Sequence, residues 1–119
     1  MNVIVLGASE KEHRYSNMAV KRLKDNGHNV FPVHKTADMV HGISVYRSLS
    51  EIKEEIHTIT VYVGKELSDK LAEEIINTDP KRIIFNPGAE NYDLSDRAEK
   101  KGIKVVFGCT LVMLASGSF

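Results

Sequence analysis

The densest concentration of groups able to hold a ligand is the stretch Gly7-Ala8-Ser9-Glu10-Lys11-Glu12-His13-Arg14-Tyr15-Ser16-Asn17. It follows an apolar run at once and opens on a glycine, which lets the backbone turn sharply and approach a ligand closely. Hydroxyl, amide and cationic side chains then lead into a segment of helical period. A helix N-terminus presents unpaired N–H groups and the positive end of the helix dipole, so a phosphate suits this loop. The competing reading is a surface loop in which Ser16 serves only as the N-cap. The stretch is not a dinucleotide fingerprint, because that would require glycines at Ser9 and Glu12.

A second cluster, Val33-His34-Lys35, follows another apolar run. NAD sites place an acidic residue there for the ribose diol, whereas the nearest charge here is positive. A ribose with an extra phosphate, as in NADP or coenzyme A, matches better; spacing alone equally allows Lys35 to be a solvated surface lysine. Asn86-Pro87-Gly88-Ala89 supplies a turn in which Pro87 fixes one φ and Gly88 permits a positive one, which serves a structural turn or a binding turn equally. Cys109 precedes the last helical segment, where a dipole would raise thiolate reactivity; the plainer reading is a small space-filling side chain, and no general base is recognisable beside it. His13, His28, His34, His41 and His57 show no metal-ligand spacing, so no metal site is expected. No catalytic residue is assigned.

Five unalternating apolar runs rich in β-branched residues must position these groups: Val3 to Leu6, Val30 to Val33, Ile59 to Val63, Ile83 to Phe85 and Ile103 to Phe107. Between them, residues 16–26 and 66–77 carry a helical period, Asp93 opens a third helix through roughly Lys101, and a last short helix starts near Cys109 or Thr110 and stops at Gly117. Lys35 to Ile56 is the least regular stretch, with room for a short edge strand at Ile43 to Tyr46 and a brief helix from Leu49 to Ile56. Strands alternating with helices imply an α/β fold, a single doubly wound Rossmann-like parallel sheet with right-handed crossovers. The expected strand order is 3-2-1-4-5. The ligand crevice then lies at the carboxyl ends of strands one and four, with His28 and His57 on the opposite rim.

The chain has 119 residues, enough for one domain over 1–119. A formal net charge of +0 argues against a nucleic-acid partner, and no apolar stretch approaches membrane-span length. Met1 lacks a basic leader and a signal core, and a single cysteine fits a reducing compartment, so the cytoplasm is the expected location.

Taken in order, Gly7-Ala8-Ser9, Arg14-Tyr15-Ser16-Asn17, Phe31-Pro32-Val33, Asn86-Pro87-Gly88-Ala89 and Cys109-Thr110-Leu111-Val112-Met113-Leu114 resemble the small stand-alone CoA-binding proteins. Those are similar to the N-terminal CoA-binding domain of the succinyl-CoA synthetase α subunit. The resemblance implies a module that binds coenzyme A, or an acyl-CoA, through its 3′-phospho-ADP end. Gly7, Ala8, Ser9, Arg14, Tyr15 and Ser16 would form the phosphate loop, Val33, His34 and Lys35 would border the adenosine, Val63 would line the crevice, and Gly88 would lie near the pantetheine path. The family often reads Val-Asn-Pro-Lys where this chain has Val33-His34-Lys35-Thr36. The phosphorylated histidine of the larger synthetases sits in a second domain that does not fit here, so ligase activity does not carry over. The alternatives are an NADP-binding or Cys109-based thiol enzyme, and an interaction protein that has lost its ligand. The chain is expected to fold on its own or as a small homo-oligomer, with room for a protein partner.

Overall fold

The computed structural model describes residues 1–119. In chain order it contains β1 (Asn2–Leu6), α1 (Tyr15–Asp25), β2 (Asn29–Val33), β3 (Met39–Val40), β4 (Ile43–Ser44) and a 3-10 turn at Leu49–Glu51. These are followed by β5 (Thr58–Val61), α2 (Lys65–Lys70), α3 (Ala72–Asn77), β6 (Arg82–Phe85), α4 (Tyr92–Lys100), β7 (Lys104–Phe107) and α5 (Thr110–Ser116). The apolar runs become parallel strands because both of their faces are covered. Along β1, Val3 and Val5 pack with Val20 and Leu23 of α1, whereas Ile4 and Leu6 pack with Leu49, Ile75 of α3 and Leu94 of α4. That alternation sets three layers, with α1, α5 and the β3–β4 hairpin on one face and the 3-10 turn, α3 and α4 on the other.

The main sheet is a five-stranded parallel one in the order β2-β1-β5-β6-β7. An α/β fold with a parallel Rossmann-like sheet is therefore observed, but the expected order 3-2-1-4-5 is not. Counted as the five strands of this sheet, the order is 2-1-3-4-5, because β5 inserts between β1 and β6. Pro32 gives the physical reason. Its carbonyl accepts the Tyr46 N–H at 2.9 Å on the side away from β1. Within a strand the N and O of a residue point the same way, so the missing proline N–H also falls on the outer side, which only an edge strand tolerates. An order with strand two between strands one and three would demand that donor. β5, by contrast, is buried at all four residues and bonds to neighbours on both sides.

The order moves the point where the chain changes direction to the cleft between β1 and β5. There Gly7 has φ +92°, and a Cβ at that position would stand 2.8 Å from Cγ1 of Val63. Only glycine fits so close to the chain leaving β5.

Several boundaries differ from expectation. The Ile43–Tyr46 stretch does not join the main sheet as a strand: Ile43–Ser44 pairs with Met39–Val40, and Tyr46 makes one isolated bridge to Val33. The helix expected within Leu49 to Ile56 is one 3-10 turn held by a Ser48/Glu51 capping box. The 66–77 helix is split at Leu71 (φ −96°, ψ 3°). α4 is capped by Asn91, whose Oδ1 accepts the Leu94 N–H at 3.0 Å, rather than opened by Asp93.

Candidate functional site

At the carboxyl ends of β1, β2 and β5 lies a crevice with two lobes. One lobe, about 430 Å³, has an apolar wall of Leu6, Val33, Leu49, Val63, Leu67 and Leu71, rimmed by Lys35, Arg47 and Ser48. The other, about 550 Å³, is polar and is lined by Ser9, Glu10, Lys11, Arg14, Tyr15, Ser16 and Pro87. Gly7, His34, Thr36 and Tyr62 line both, so the lobes meet over the glycine at the switch point. An apolar wall beside a few converging polar groups is the usual form of a small-molecule site.

The polar lobe is built by the loop between β1 and α1, which is fastened internally. The Gly7 and Ala8 N–H groups both donate to the Val33 carbonyl, at 2.9 and 3.0 Å, tying this loop to the end of β2. The Ser9 N–H donates to Ser16 Oγ at 3.1 Å, and Ser9 Oγ accepts the Lys11 N–H at 3.1 Å. Ser16 is therefore not the N-cap of α1. Arg14 takes that position without a side-chain cap, and the N–H groups of Tyr15 and Ser16 have no partner in the chain. Those free donors, with Lys11 and Arg14 nearby, make the lobe a place for an anion. Asn17, 4% exposed, donates from Nδ2 to the Ser9 carbonyl at 2.9 Å, and its Oδ1 accepts from His41 Nε2 at 2.7 Å.

The loop after β2 is organised by His34. Its Nδ1 accepts the N–H groups of Thr36 and Ala37 at 3.1 and 3.0 Å. The Arg47 guanidinium braces the same loop through the Ala37 carbonyl and the Asp38 carboxylate. On the β5 side, the Tyr62 ring forms the wall shared by the lobes while its hydroxyl is buried without a hydrogen-bond partner. Burial pushes the phenol up to about 12, so it stays neutral. Beneath it, Asn86 fixes the end of β6 through Nδ2 to Thr60 Oγ1 at 2.7 Å and through Oδ1 to the Thr110 N–H at 2.9 Å.

Of the residues singled out from sequence, the structure brings Gly7, Ser9, Arg14, Tyr15, Ser16, Val33, His34, Lys35 and Val63 to this one crevice. Ala8 is fully buried behind the loop, and Gly88 (φ +90°) lies outside both lobes with its N–H on Glu90 Oε1. The crevice lies between β1 and β5, not between strands one and four as the predicted order implied. Cys109, half-buried before α5, lines neither lobe. His28 and His57 sit at the opposite rim, and no three His, Cys, Asp or Glu side chains converge as metal ligands. Thr36, Arg47, Ser48, Leu49, Tyr62, Leu67 and Leu71 also line the crevice and were not assigned to the site from sequence. The signal for Tyr62 was Pro32, since an edge position for β2 brings the end of the third run beside Gly7. No helix is long and apolar enough to cross a membrane.

A family model described as a CoA binding domain matches residues 1–115. The uncharacterized protein YneT of Bacillus subtilis is 30% identical over 104 residues, covering 87% of this chain and 77% of YneT. An ADP-forming acetate–CoA ligase of Methanocaldococcus jannaschii is 25% identical over 113 residues, covering 88% of this chain but only 16% of the ligase. A crystal structure of an uncharacterized protein superposes with a TM-score of 0.90 at 36% identity, covering 99% of this chain and 97% of that one.

Proposed function

The chain belongs to the CoA binding domain family, and from that premise we propose that it holds coenzyme A by the 3′-phospho-ADP end in the two-lobed crevice. The adenine takes the apolar lobe against Val33, Leu49 and Val63, and the diphosphate takes the polar lobe at the free N–H groups of Tyr15 and Ser16. Lys35, on the rim of the adenine lobe, supplies the cation for the 3′-phosphate. The observation that supports this best is the junction of an apolar and an anion-accepting lobe at Gly7, where a nucleotide bends from base to phosphate.

The role is binding rather than turnover, with the pantetheine arm leaving past Pro87. The ligase relative is matched over only a small share of its length, and its activity is not carried over. Calorimetry with CoA, dephospho-CoA, NADP and NAD tests the reading. CoA should bind most tightly and raise the melting temperature, because a ligand confined to the folded state stabilises it. Equal or absent binding of all four would refute it.

A further inference from the structure

We infer that His34 is a positioning residue that builds the cofactor loop only as a neutral imidazole, so that protonating it weakens the site. The inference rests on the CoA reading above only for its ligand assay. A backbone N–H can only donate, so with the Thr36 and Ala37 N–H groups both directed at Nδ1, that nitrogen must carry a lone pair. The ring is then the tautomer with its proton on Nε2. This is the arrangement of an Asx turn, in which a side-chain oxygen of Asn or Asp accepts backbone N–H groups further along. His34 does with a ring nitrogen what an asparagine would do with its amide oxygen.

A histidine in this role differs from an asparagine in one property. An asparagine amide does not titrate, whereas imidazole changes charge between pH 5 and 8. Once protonated, Nδ1 carries a hydrogen that faces two N–H groups, and the turn loses both bonds. Lys35 and Thr36, which line the crevice, lie within that turn. The charged groups around His34 are of both signs. Lys11 and Arg14 line the polar lobe from the first loop, Lys35 is adjacent, and Arg47 donates to the His34 carbonyl at 3.4 Å. Glu10 of the first loop and Asp38 are the nearby carboxylates, and Asp38 is taken up by Arg47. Tyr62 across the cleft is neutral, and Tyr15 at the start of α1 is the remaining ionisable lining group.

The opposite role is also physically clear: an imidazolium that touches phosphate would tighten binding on acidification. The sign of the pH effect therefore decides. The CoA 3′-phosphate itself titrates near pH 6, so dephospho-CoA is the probe that isolates the protein. Wild-type affinity for dephospho-CoA should fall about tenfold from pH 7.5 to pH 5, the effect of losing two ordinary hydrogen bonds. His34→Asn should show no such fall between the two pH values, and His34→Ala should bind more weakly than His34→Asn at pH 7.5. A wild-type affinity that rises on acidification, or an Asn variant with the same pH profile as wild type, overturns the proposal. Without ligand, ¹⁵N NMR should show His34 as the Nε2–H tautomer, with the Thr36 and Ala37 amides losing exchange protection as the ring titrates. An Nδ1–H tautomer would overturn the proposal independently of CoA. Absence of CoA binding with the NMR result intact would instead refute the functional reading.

Discussion

Replacing Gly7 by alanine tests the geometry on which the crevice rests. Two penalties follow from the structure. The residue has φ +92°, where an L side chain is strained by about 1–2 kcal/mol. The new Cβ would also meet Val63 Cγ1 at 2.8 Å, an overpacking worth about 1–3 kcal/mol. The stiffer unfolded chain offsets about 0.4–1 kcal/mol of this, leaving a net destabilisation of about 1–4.5 kcal/mol, with about 2–3 kcal/mol near the middle of that range. For a domain of this length that corresponds to a melting temperature lower by roughly 8–12 °C. Urea denaturation of Gly7→Ala, Val63→Ala and the double variant separates the two terms. Shortening Val63 relieves the clash and leaves the φ strain, so the double variant should be more stable than additivity predicts by about 1–2 kcal/mol. Coenzyme A binding should weaken in Gly7→Ala and recover partly in the double variant. If Gly7→Ala stays within about 0.5 kcal/mol of wild type, or if the pair shows no coupling, then β5 does not approach β1 as described and the crevice is wrongly placed.

Lys35→Ala should weaken coenzyme A by about tenfold, the scale of a charge-assisted hydrogen bond, while leaving dephospho-CoA nearly unchanged; equal losses in calorimetry would remove Lys35 from the 3′-phosphate. Asn86→Ala strips Thr60 Oγ1 and the Thr110 N–H of a buried partner and should cost about 2–4 kcal/mol in urea unfolding, whereas a loss below about 0.5 kcal/mol would show that water substitutes. His28 and His57 are both held below their usual range, chiefly by burial, so between the folded and unfolded titration points the unfolded chain binds more protons. Stability should therefore decline as pH falls below 6.5, and His57→Gln should flatten that decline in chemical denaturation; an unchanged slope would refute the assignment.

How much of this was legible in the sequence can be read from individual residues. The five strands, the helices between them and the crevice end of the sheet follow from unalternating Val and Ile runs that end at glycines or turn residues, because burial on both faces imposes that pattern. Most of the expected crevice residues meet because they sit on loops at one end of such strands, and any strand order would have put them at that end. The order itself is a tertiary fact with one local trace, the proline in β2, and its meaning depends on which side of the strand lacks a donor. Arg47, Ser48 and Leu49 were not legible as site residues for a different reason. They belong to a stretch with no sustained period, held by a 3-10 turn and hairpin that gain their stability from packing on the sheet.

The loops of the crevice are fastened to one another before any ligand arrives. The Val33 carbonyl holds Gly7 and Ala8, the buried Asn17 links Ser9 to His41 beside the β3–β4 hairpin, and Arg47 ties the turn after β2 to the chain entering the 3-10 turn. Ordering these segments is part of folding, so binding need not bear that entropy, and an ordering cost of about 0.5–1.5 kcal/mol per immobilised side chain is avoided. The exposed Lys11, Arg14 and Lys35 are the groups still free to close on an anion. On the proposed reading, affinity depends on a rigid wall and a few mobile cations, and a change in the wall, whether a methyl at Gly7 or a proton on His34, would act on every contact that the ligand makes.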